Sequence, residues 1–167
     1  MTPERKSEIR ESVLKRIASG EDKDTVLREA AEQGDAVCQL AYGINLDMPS
    51  WGRGSKWWNQ SVKQNCVYAW VWLALFYLDK PDIAKGWFAK ASMAGNLFAQ
   101  YSLALLLDPR NKYRASDASY PKALDAYKMA ASNKFEMDDD LRFLVRLLET
   151  GPRPRGSRRR KPRSIPV

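Results

Sequence analysis

The feature that most constrains this chain is that it repeats itself. Four segments align without gaps: VLREAAEQG (26–34), WWNQSVKQN (57–65), WFAKASMAG (87–95) and AYKMAASNK (126–134). Their last residues, Gly34, Asn65, Gly95 and Lys134, follow one another at intervals of 31, 30 and 39. Each segment opens on a bulky pair, passes through polar or mixed positions to two small residues, and ends on a turn-like residue. Gly and Asn suit a left-handed position at a helix C-terminus, and Lys134 departs from that rule. Periods of this length are the signature of stacked helical units.

The segments that follow are also in register. DAVCQLAYGIN (35–45), CVYAWVWLALF (66–76) and NLFAQYSLALL (96–106) share a small residue at Cys38, Ala69 and Ala99, and another at Gly43, Ala74 and Ala104. The fourth, FEMDDDLRFLVRLLE (135–149), keeps helical character but loses the small residues. Pro49, Pro81 and Pro109 mark where helices must end. Each unit therefore reads as a helix, a tight turn and a second helix. One short pair cannot bury its apolar face, but stacked pairs can. The fold class expected is all-α: an α-solenoid of about four helix-turn-helix repeats, with an N-terminal capping helix.

In this register VLREAAEQGDAVCQLAYGINL resembles a Sel1-like repeat, a relative of the tetratricopeptide repeats. Ala30, Ala31, Glu32, Gln33 and Gly34 match the first signature outright. Trp57, Trp58, Gln64 and Asn65 resemble the second, and Trp87, Phe88, Lys90, Ala91 and Gly95, followed by Ala99 and Gln100, the third. YPKALDAYKMAA (120–131) resembles the start of a fourth, and Gly52-Arg53-Gly54 the family's loop between units. The resemblance spans residues 22 to 150. It implies binding of a protein partner by the first helix of each pair, where Arg28, Asn59, Gln60, Lys90 and Lys128 fall. These are mostly polar or basic, so an acidic or extended peptide-like partner is the one expected.

The organisation expected is a capping helix (1–20), a repeat domain (21–151) and a disordered basic tail (152–167). Thr2-Pro3-Glu4 begins a helix, Ile9, Val13 and Ile17 give it an apolar stripe, and Gly20 can end it. A separate partner-binding helix is the alternative use of this segment. The net charge of +8 is unevenly placed. Arg153, Arg155, Arg158, Arg159, Arg160, Lys161 and Arg163 supply seven of the 28 basic residues, leaving 21 against 20 acids in positions 1–151. The tail suits an anionic partner: nucleic acid, an acidic protein or an anionic membrane surface. It has no interleaved aromatics, so base stacking is not indicated.

Chemistry is poorly provided for. There is no histidine, so no Ser-His-Asp or Cys-His constellation can be assembled from this chain. Cys38 and Cys66 fit free thiols, Cys38 at a small core position. Asp138, Asp139 and Asp140 read as either a cation site or the start of a helix; no spaced ligand set accompanies them. No cofactor or metal is expected, and the protein is expected not to be an enzyme. The longest apolar run, Tyr68–Leu78, is too short to cross a bilayer as a helix. A cytoplasmic adaptor is expected, with an RNA- or DNA-associated protein anchored by the tail as the alternative. Trp70 and Trp72 stand where other units carry Gln39 and Ala41 or Gln100 and Ser102. They are either partner-binding anchors or are buried under the N-terminal helix or the 109–121 loop. Arg110, Lys112, Tyr113 and Arg114 in that loop either extend the basic surface or are simply solvated.

Overall fold

The computed structural model describes residues 1–47, 52–133 and 136–150. Among them are nine α-helices and no strand: α1 (Pro3–Ala18), α2 (Lys23–Glu32), α3 (Ala36–Asp47), α4 (Ser55–Lys63), α5 (Val67–Phe76), α6 (Pro81–Met93), α7 (Leu97–Leu107), α8 (Tyr120–Ser132) and α9 (Asp139–Thr150). Consecutive helices α2–α3, α3–α4, α5–α6, α6–α7 and α7–α8 pack closely. The arrangement is an all-α repeat solenoid. Lys134 and the whole basic tail lie outside the described residues.

The turns within the pairs form where the register places them. Gly34, Asn65 and Gly95 have φ of 93°, 58° and 84°. Their backbone N–H groups donate to Ala31, Val62 and Ser92. The next N–H in the second and third units reaches back five residues, from Cys66 to Ser61 and from Asn96 to Ala91. This closes the last helical turn and satisfies otherwise orphaned carbonyls. Asn65 is the one non-glycine residue with positive φ among those described. Asparagine tolerates this region better than other L-residues.

The small positions are where helices approach. Cys38, Ala69, Ala99, Ala74 and Ala104 are all fully buried. Gly43 and Gly54 mark the tightest contact: a Cβ on Gly54 would lie 1.9 Å from the Gly43 carbonyl oxygen. The bulky pairs fill the space between layers, with Trp58 and Phe88 buried and Trp57 half-buried against Tyr42. The interval of 39 has a local cause. The connection between α7 and α8 is longer, and it is pinned: Ala115 donates its N–H to the Leu106 carbonyl, Ser116 donates twice to Asp82, and Asp117 pairs with Lys85 and Lys122.

The fourth pair is not completed. α9 is helical, as its sequence requires, but its main packing partners are α1 and α3. The register explains this. In the sequence register Phe143 falls where the other second helices carry Gly43, Ala74 and Ala104, while Asp138, in the place of Cys38, Ala69 and Ala99, lies before α9 and caps it. A phenyl ring cannot enter a contact that admits only a small side chain. Phe143 and Leu147 are buried instead in one cluster with Ile9, Val13, Val37 and Leu40. The stack thus contains three full pairs and a single first helix, α8. Its N-terminal end is sealed jointly by α1 and α9.

Candidate partner-binding surfaces

Arg28, Asn59 and Lys128 occupy one repeat position on α2, α4 and α8. Gln60 and Lys90 occupy the next position, on α4 and α6. Arg28, Asn59, Lys90 and Lys128 are exposed and Gln60 is half-buried. The Lys90 ammonium lies 4.9 Å from the Trp87 ring centroid, a cation–π contact that holds it over the first-helix layer. These five residues thus fall on the first helices α2, α4, α6 and α8, at two neighbouring repeat positions. Arg110, Lys112, Tyr113 and Arg114 lie on the pinned connection after α7; Lys112, Tyr113 and Arg114 are exposed, and Arg110 binds Asp108 through two nitrogens at 3.0 and 2.6 Å.

Trp70 and Trp72 are both half-buried. Trp70 packs against the cluster of Ala74, Ala84, Phe88, Ala91, Ala99 and Leu106, between the second and third pairs. Trp72 packs against the first cluster, and its Nε1 is buried without an acceptor, the only such side-chain atom among the described residues. The position of Trp70 has a repeat logic of its own. Gln39 and Gln100 each donate their amide to a carbonyl of the preceding helix, Ala31 and Ser92. Each also accepts from the end of the next first helix: Gln64 to Gln39 at 2.8 Å and Asn133 to Gln100 at 2.7 Å. At the remaining junction both partners are apolar, Trp70 and Ala94.

The most elaborate polar site is one the sequence reading passed over. Arg10 lies within the buried stripe of α1 and donates from Nε to Asp35 at 3.1 Å and from its terminal nitrogen to Asp140 at 2.7 Å. Asp35 is fully buried, and its second oxygen accepts from the N–H groups of Val37 and Cys38, capping α3. Burial works against the charged Arg10, but Asp35 and Asp140 outweigh it and keep the guanidinium protonated. Arg146–Glu11 and Tyr68–Asp138 hold α9 at further points. Asp138 also caps α9 through the Leu141 N–H, and Asp139 pairs with Arg142. The acidic triplet is thus engaged in starting and anchoring a helix. Among the described residues no group of three or more His, Cys, Asp or Glu is placed to hold a metal ion. Cys38 and Cys66 are buried and free, and burial raises both thiols.

Stacked helix pairs in a common register, closely packed through small residues and sealed at one end, define a helical-repeat protein of the α-solenoid class. Within that class the fold is Sel1-like. A crystal structure of a Sel1 repeat protein from Oxalobacter formigenes matches it with a TM-score of 0.59 at 17% identity, over 91% of this chain and 77% of that one. No protein-family model and no curated protein matches the sequence. No helix among the described residues is long and apolar enough to cross a membrane.

Proposed function

We propose that the protein is a non-enzymatic adaptor, binding a protein partner through the first-helix surface of its solenoid. The observation that carries this reading is the recurrence of polar and basic groups at equivalent repeat positions: exposed Arg28, Asn59 and Lys128 at one, half-buried Gln60 and exposed Lys90 at the next. A surface repeated with the period of the stack can follow an extended partner residue by residue, and its charge favours an acidic one. The outer edges of Trp70 and Trp72 would add apolar contact. The basic tail, Arg153 to Arg163, would supply a second anionic contact. The adaptor would work in the cytoplasm.

The test begins with affinity purification and mass spectrometry, with and without nuclease. Lys90→Glu with Lys128→Glu is expected to weaken capture of the recovered partner without moving the melting temperature, since both side chains are exposed. Unchanged affinity removes the first-helix assignment. Deletion of residues 152–167 is expected to leave protein capture intact. Loss of all binding, together with a steep dependence on salt, would instead assign the activity to the tail and to nucleic acid.

A further inference from the structure

The second helices form a face of their own, and its two ends differ. Val37 and Leu40 on α3 are 0% and 1% exposed, in one cluster with Phe143 and Leu147 of α9. The same repeat positions on α7 are Phe98 and Tyr101, each 53% exposed. Positions that an amphipathic helix covers at one end of the layer therefore stand open at the other. The opening arises because α9, which register assigns to the place beside α8, packs against α1 and α3 instead. What remains is a groove lined by Leu97, Phe98, Tyr101, Tyr127, Ala130 and Ala131. Tyr101 and Tyr127 meet edge to face at 5.9 Å across it, and Leu124 extends the apolar surface along α8.

We propose that this groove docks an amphipathic helix from a partner protein, apolar on one side and net acidic. Two features of the molecule define the chemistry of the occupant. The layer already holds such a helix at its other end: α9, whose segment 138–150 carries four acids against two arginines. The α8 side of the open groove has the opposite charge, whereas Glu136 and Asp138 lie beside Leu97 and Phe98 at its other side. Residues 108–133 carry five basic side chains, Arg110, Lys112, Arg114, Lys122 and Lys128, against three aspartates. Helix-in-groove recognition needs an apolar trough that takes residues spaced i, i+3, i+4 and i+7, with charge setting the orientation. The inference rests on the adaptor reading in requiring a protein partner. It concerns the groove between α7 and α8, however; Lys128 belongs to the charge around both surfaces, but Lys90→Glu alone leaves this groove untouched and Tyr101→Glu leaves Lys90 in place, so the two can fail separately.

The probe is a fluorescein-labelled synthetic peptide of residues 138–150, titrated into the full-length protein and followed by fluorescence polarisation. Saturable binding is expected, weaker at higher salt. Amide resonances of α7 and α8 should shift in the 15N-labelled protein. Tyr101→Glu should lower the affinity by about tenfold or more, as removal of a central aromatic contact does. Leu124→Glu, on the exposed side of α8, provides a second variant should the first perturb folding. No saturable binding overturns the proposal, as does binding that survives both substitutions. Shifts confined to α1 and α3 overturn it too, because the peptide would then be exchanging with α9. A concentration-dependent dimer of the unliganded protein, abolished by Tyr101→Glu, would assign the groove to a second copy and overturn the partner reading.

Discussion

Arg10→Met tests the account of how the N-terminal end is sealed. The methionine keeps an apolar stem in the stripe between Ile9, Val13 and Leu14 but removes the guanidinium. Asp35, whose side chain is wholly inaccessible to solvent, then retains its two backbone donors but has no counter-charge. Taking one partner from a buried ion pair costs about 3–5 kcal/mol, because the remaining charge stays desolvated. Asp140, with 38% of its side chain exposed, can return to water, so its share is screened and is expected to be about 1 kcal/mol or less. In a domain of this size each kcal/mol lowers the melting temperature by about 2–4 °C, so a fall of roughly 10 °C is expected. Urea denaturation followed by circular dichroism gives the free energy.

Two companions make the measurement specific. Arg10→Lys keeps the charge, but one ammonium cannot reproduce the fixed fork that spans Asp35 and Asp140, so an intermediate loss is expected. Asp140→Asn should cost little globally, yet speed hydrogen exchange in α9 while α2 to α7 keep their protection. The reasoning is refuted if Arg10→Met lies within about 1 kcal/mol of the parent, well below the cost of an unpaired buried carboxylate. It is also refuted if Asp140→Asn is as damaging as Arg10→Met, since the exposed arm of the network would then carry the energy.

Gly54→Ala drives a Cβ into the Gly43 carbonyl and should cost about 3 kcal/mol or more, read as a shift in the urea midpoint. Trp72→Phe removes a buried N–H that has no acceptor, which offsets most of the lost packing; a change under about 1 kcal/mol is expected by the same assay. Asp108, held at a pKa of about 2 by hydrogen bonds from Arg110, and Asp117, held at about 2 by Lys122 and Lys85, have folded values below their ordinary ones. Their contribution is therefore complete above about pH 4 and is lost as the pH falls towards 2. Asp108→Asn and Asp117→Asn should flatten that acid limb in a pH titration of the melting temperature.

What the sequence disclosed follows from which contacts are periodic. The left-handed residues at Gly34, Asn65 and Gly95 and the small positions at Cys38, Ala69 and Ala99 recur with the unit, so alignment of the chain with itself exposes them. The course of α9 is not periodic. Its loss of small residues was visible in the alignment; the consequence, expulsion from the place beside α8, needs the geometry of the close contact. Arg10 is a comparable case. An arginine four residues before Leu14, inside an apolar stripe, is an anomaly that can be read from sequence. Its partners lie 25 and 130 residues away, at spacings no repeat supplies. The exposure of Arg28, Asn59 and Lys128 was legible because they share one repeat position on the first helices.

Trp70 belongs between these cases, and it can be tested. Read along its own helix, it is an aromatic residue replacing the glutamine of the other units. Read across the junction, it is half of a paired change, since Ala94 replaces the residue that donates to that glutamine elsewhere. Polar pairing and apolar packing are then two solutions to the same junction, and mixing them should fail. Trp70→Gln alone removes aromatic packing against Phe88 and Ala91 and leaves an amide without its partner, at a cost of about 3 kcal/mol. Ala94→Gln alone places an amide at an exposed position and should be nearly neutral. Combined, the two can form the bond made by Gln39 and Gln64, recovering about 1 kcal/mol. Additivity of the two substitutions within about 0.5 kcal/mol would show that the paired change at this junction is coincidental.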